Sequence, residues 1–144
     1  MNPAPVRRLS LPDALRDRIM CAARDAAPRE CCGLIEGVRD GDGARALALH
    51  PARNLSAVPD RFEIDPQDQF DALRAARANG HAIIGCYHSH PGGRPLPSAT
   101  DLAGAGEEDF VWMIAADGVL KAFVYARGGF TGVAMGADCV TSSE

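Results

Sequence analysis

The sequence predicts a single α/β domain: one mixed, mostly antiparallel β-sheet flanked by helices. Three observations lead there. Segments of helical and extended period follow one another as helix, strands, helix, strand, short helix, strands, the pattern of a sheet covered by helices. The strand-like runs are short and bounded by Gly, Pro, Asn and Asp. With 144 residues, 47% apolar and 24% charged, the chain suffices for one hydrophobic core with little left over. The expected domain is therefore 1–144, with its core at about 6–135 and a flexible tail at 137–144.

The elements follow in order. A short strand at Val6–Leu9 ends the lead-in. Leu11-Pro12-Asp13 opens a helix in which Leu15, Ile19, Ala22, Ala23 and Ala26 recur at helical spacing, until Pro28 stops it. Cys31–Glu36 and Ala44–His50 read as strands joined through a Gly-Asp-Gly turn at 41–43. Residues 51–60 have no period and form a loop, and Phe62–Ile64 is a short extended piece. Asp65-Pro66 begins a second helix carrying Phe70, Leu73, Ala76 and Arg77, closed by Asn79-Gly80. Ala82–His88 is an apolar run of the kind found in a central strand. The Pro/Gly-rich loop 91–97 leads to a short helix near Ser98. Phe110–Ala115, Leu120–Ala126 and Phe130–Met135, separated by Asp117-Gly118 and Gly128-Gly129, make a meander.

Composition narrows the function. A net charge of −4 offers no footprint for nucleic acid or for an anionic membrane surface. No run approaches the ~18 apolar residues of a membrane span, and the arginines at 7 and 8 precede no secretory apolar stretch. Five cysteines (21, 31, 32, 86, 139) form no CxxC pair and leave one thiol over. In a chain able to build its own core, this points to reduced thiols and a cytoplasmic location.

The chemistry concentrates in His88-Ser-His-Pro-Gly-Gly-Arg-Pro-Leu-Pro-Ser98-Ala-Thr-Asp101. His88 and His90, two apart at a strand end, point to one face. Paired imidazoles suit Zn²⁺ better than Mg²⁺ or Ca²⁺. The Pro91-Gly92-Gly93 reversal brings Asp101 round as a third ligand, leaving a fourth position open, the mark of a catalytic rather than a structural zinc. Such a metal activates water and polarises a carbonyl, and the site then needs an acidic residue as proton carrier. Two other readings stay open at this level. Ser98-x-x-Asp101 also fits a helix capping box. Cys86, alternating with the two histidines, could close the site as a fourth ligand. His50 and His81 read as surface histidines, and nothing in the spacing prefers Glu30 over Glu36 or Glu63 as proton carrier.

The run from His88 to Asp101 resembles the JAMM (MPN-plus) zinc metalloprotease motif, H-x-H-x7-S-x2-D. Pro28-Arg-Glu30-Cys-Cys-Gly-Leu-Ile35 and the Asn54…Phe62-Glu-Ile-Asp-Pro66 stretch resemble that family's other segments. The likeness spans about 6–135 and suggests a compact bacterial-type member. It implies the MPN/JAMM fold, which is cytidine-deaminase-like, with zinc on His88, His90 and Asp101. It also implies Glu30 as general base and Ser98 as oxyanion donor. The implied substrate is the C-terminal tail of a ubiquitin-like or sulfur-carrier protein, cut after its glycines. Only seven residues separate Asp101 from Asp109, too few for the long insertion of eukaryotic deubiquitinases. The competing readings are a catalytically silent MPN scaffold that docks partners and a RadC-like DNA-associated protein. The intact motif residues speak against the first, and the acidic charge and missing helix-hairpin front end against the second.

Overall fold

The computed structural model of the chain describes residues 5–58 and 60–137. Its elements are β1 (Arg8–Ser10), α1 (Asp13–Ala26), β2 (Cys32–Asp40), β3 (Gly43–Ala52), α2 (Pro66–Ala78), β4 (Ala82–Ser89), α3 (Ala99–Gly104), β5 (Phe110–Ala116), β6 (Val119–Ala126) and β7 (Gly129–Gly136). The strands join as β1-β3-β2-β4-β5-β6-β7. The three residues of β1 close the sheet on itself, pairing parallel with both β3 and β7. The remaining pairs are antiparallel except β4–β5, so the sheet is mixed and mostly antiparallel. The expected tail falls, beyond Ala137, outside the described residues. Among the described residues no helix is long and apolar enough to cross a membrane.

Alternation along the central strands separates two cores. Ile35, Tyr87, Val111 and Met113 face one side, where Leu15 and Ile19 of α1 pack on them. Each fully buried aliphatic there contributes about 1.5–3 kcal/mol. Leu34, Cys86 and Trp112 sit in register across β2, β4 and β5 and face the other side, against Ala72 of α2. Close strand packing leaves no room for a Cβ at Gly33, where the Tyr87 ring crosses, or at Gly85, which meets Val111.

Two elements differ from expectation. The strand expected to end at Glu36 continues to Asp40, because a register shift at Glu36/Gly37 lets the pairing resume beyond it. In α2 the buried residues are Ala72 and Ala76, four apart, while Phe70 and Leu73 are exposed. Small residues let this helix lie close to the sheet, turning its large apolar side chains outward. Asp65 caps α2, accepting from Gln67 N–H at 2.8 Å.

Candidate metal centre

The site lies where β4 ends. His88 is the last-but-one residue of that strand and shares the face of Cys86 and Trp112; it is fully buried. His90 follows just beyond, its backbone N–H donating to the Ala115 carbonyl at 2.9 Å. Between them, Ser89 turns the other way and accepts from Cys31 N–H at 2.8 Å through its hydroxyl. Cys31 O in turn accepts from Ser89 N–H at 3.2 Å. This double tie lays the Glu30 segment, which precedes β2, beside the histidine pair.

Asp101 arrives from the opposite side on α3. The capping box expected at Ser98 is present: Ser98 Oγ accepts from Asp101 N–H at 3.0 Å, and Asp101 Oδ2 accepts from Ser98 N–H at 3.0 Å. The cap does not exclude a site, since the same Oδ2 lies 3.2 Å from His88 Nε2 and 3.1 Å from His90 Nε2. The two Nε2 atoms are themselves 3.1 Å apart.

The spacing of these donor atoms fits a metal ion. A triangle with edges of 3.1–3.2 Å is close to that spanned by three ligands bound at about 2.0–2.1 Å to one tetrahedral centre. His90 Nδ1 donates to the Arg94 carbonyl at 2.9 Å, which leaves Nε2 as the ring atom turned toward the cluster. Nε2 of two imidazoles and a carboxylate oxygen thus converge, an arrangement that fits a bound cation.

Glu30 completes the cluster differently. One of its carboxylate oxygens and a ring nitrogen from each histidine lie within 4.8 Å of one another. Yet among the described residues no hydrogen bond joins Glu30 to either ring, and its buried Oε1 has no partner. Burial, assisted by the negative charges of Asp101 and Asp60 and opposed by His90, pushes its carboxyl up to about 7. Asp101 is held well below the usual carboxylate range: burial would raise it, but hydrogen bonds from both histidines outweigh that.

An aromatic wall orients His88. Phe62 stacks on its ring at 4.3 Å between centroids and 24°, while Trp112 meets it edge-on at 5.6 Å. Among the described residues, His88 Nδ1 is buried without a partner. The sequence carried no signal for Phe62, Trp112 or Ser89 as neighbours of the site. Cys86 lies outside the group formed by Glu30, His88 and His90, in the apolar cluster of Leu34, Ala72 and Trp112, where burial pushes its thiol well up. In front, a groove of about 580 Å³ runs past Glu30, Asp60, His90, Leu96 and Ser98.

The histidines assigned to the surface have a role of their own. Both His50 and His81 are only partly exposed and donate to the buried Glu36, at 2.8 Å and 2.6 Å. The sequence could not pair them, because their partner comes from another strand.

Comparison with known proteins shows the family. The family of prokaryotic homologs of the JAB domain matches residues 12–126. The chain belongs to that family. Among its JAB relatives, a desampylase from Haloferax volcanii is 39% identical over 112 residues, covering 74% of this chain and 79% of the relative. A probable TtuB-protein conjugate cleaving protease from Thermus thermophilus is 31% identical, covering 83% and 78%. The solution structure of a Desulfitobacterium hafniense protein superposes with a TM-score of 0.80 at 29% identity, over 93% of this chain and 97% of that one.

Proposed function

We propose that this chain is a zinc-dependent peptidase or isopeptidase that cuts after the C-terminal glycines of a ubiquitin-like or sulfur-carrier protein. The chain is a JAB-type enzyme, a hydrolase like the named relatives. The single observation that carries the mechanism is the convergence of three ligand-type atoms beside a buried carboxylate whose Oε1 has no partner among the described residues. His88, His90 and Asp101 would hold the zinc. When bound, zinc supplies Lewis-acid activation of water and of the scissile carbonyl.

This chain's own residues do the rest. Glu30, its carboxyl pushed up to about 7 by burial, takes the proton of the attacking water and passes it to the leaving amine. The Ser98 hydroxyl accepts from Asp101 N–H and keeps its own proton free to donate to the developing oxyanion, a contribution of about 3 kcal/mol at comparable sites. His90 is held in its working tautomer by the Arg94 carbonyl. The groove past Glu30 and Ser98 is where an extended Gly-Gly tail would lie.

The substrate class rests on the relatives' named activities against ubiquitin-like conjugates. Unpaired thiols at Cys21, Cys31, Cys32 and Cys86 suit a reducing, cytoplasmic setting. The test combines metal analysis with a hydrolysis screen against Gly-Gly-linked ubiquitin-like conjugates. Stoichiometric zinc and conjugate cleavage abolished by chelation are expected. A metal-free, inactive protein would instead support the docking scaffold.

A further inference from the structure

Among the described residues, the loop 54–64 supplies no donor atom to the cluster, yet it is tied tightly against it. Backbone pairs close its neck: Asp65 N–H donates to Arg53 O at 3.0 Å and Leu55 N–H to Glu63 O at 2.8 Å, with Asn54 bridging to Ile64. Within the neck, the Asn54 carboxamide spends its whole hydrogen-bonding capacity. Its Oδ1 accepts from Ser56 N–H and Glu63 N–H, both at 2.9 Å. Its Nδ2 donates to Arg61 O at 3.4 Å and, leaving the loop, to the backbone carbonyl of Glu30 at 3.0 Å. Arg29 adds a second tie, its guanidinium donating to the Asn54 carbonyl at 3.3 Å and to the Ser56 carbonyl. Further along, the same loop lays Phe62 on His88.

Glu30 needs such help. Its Oε1 has no partner, so the placement of its carboxylate depends on the backbone that carries it. We propose that Asn54 is a positioning residue, whose carboxamide locks the Glu30 backbone to the loop that seats Phe62 on His88. It thereby holds the proton carrier and the metal-ligand pair in one frame. The inference rests on the base role proposed for Glu30. A misplacement of about 1 Å in such a frame costs about 100-fold in rate, so the effect belongs in turnover rather than in substrate binding.

Asn54→Asp separates the hub's two halves. It keeps an oxygen for the Ser56 and Glu63 amides but sets an acceptor against the Glu30 carbonyl. Ser56→Ala is the control: it removes the Ser56 hydroxyl contacts with Val58 and leaves the Asn54 hub intact. In the zinc-loaded full chain acting on a Gly-Gly-linked ubiquitin-like conjugate, Asn54→Asp should lower kcat about 10- to 100-fold with KM within about twofold. Zinc content should be unchanged, and Ser56→Ala should keep kcat at whatever cost in melting temperature. A wild-type kcat in folded Asn54→Asp overturns the proposal, as does an equal loss of kcat in Ser56→Ala. The visible spectrum of the cobalt-loaded protein gives a reading that needs no turnover. It should change in Asn54→Asp and not in Ser56→Ala; spectra identical to wild type in Asn54→Asp overturn the proposal. Absence of turnover in wild type, with the cobalt spectra behaving as expected, would count against the proposed substrate alone.

Discussion

Glu30 and Glu36 are both buried, at 4% and 2% exposure, and both stand beside a pair of histidines. Their surroundings are opposite. Glu36 accepts from His50 Nε2, Asn79 Nδ2 and His81 Nδ1 at 2.8, 2.9 and 2.6 Å. Burial alone would raise its carboxyl, but those hydrogen bonds prevail and hold it at about 2. Glu30 has an oxygen orphaned among the described residues, an elevated carboxyl at about 7 and, next to it, three ligand-type atoms facing one another at 3.1–3.2 Å. A closed network of this kind fastens α2 to the sheet. An open one stores unmet interactions that a metal and a substrate can satisfy.

The largest effect should come from breaking the open cluster. Asp101→Ala should lose the bound zinc and lower turnover about 1,000-fold or more, measured by metal content and hydrolysis of a Gly-Gly-linked conjugate. Its fold should survive, with only about 1 kcal/mol lost from the α3 cap. Retention of one zinc per chain would return Asp101 to a capping role alone.

Breaking the closed cluster should do the reverse. Glu36→Ala should cost about 3 kcal/mol of stability, since two histidines and Asn79 lose a buried partner, while zinc content and kcat stay near wild type. Denaturant unfolding reads the first and kinetics the second. The pH dependence has a definite sign. Glu36 has a folded-state value below its ordinary 4.5, so its contribution is full above that pH and drains away as pH falls toward about 2. Glu36→Gln should flatten the stability profile across that acid window. An unchanged slope would show that Glu36 gains nothing from its three partners.

A smaller effect is expected at the aromatic wall. Phe62→Leu should weaken zinc affinity about tenfold by loosening His88, as substitutions that support a ligand from outside generally do. Competition with a chromophoric chelator would measure it, and an unchanged affinity would limit Phe62 to packing.

Much of this was legible in the sequence because it is local. A continuous apolar run marked the central strand at Ala82–His88, and the spacing from His88 to Asp101 marked imidazoles, reversal and capped helix within fourteen residues. What could not be read is non-local. Glu30 and Glu36 differ only in what other strands and α2 bring to them; His81 is 45 residues from its partner and Asn79 is 43. Closure of the sheet depends on the three residues of β1, too short for any period. The inward face of α2 fell to Ala72 and Ala76 because close approach outweighed side-chain size.

The sharpest test of the contrast is Glu30→Gln, measured for zinc content and for cleavage of a Gly-Gly-linked ubiquitin-like conjugate in the same preparation. One zinc per chain with turnover reduced about 1,000-fold or more is the predicted result. Undiminished turnover in a zinc-loaded Glu30→Gln would contradict the account, for the unpartnered carboxylate would then be no part of the chemistry.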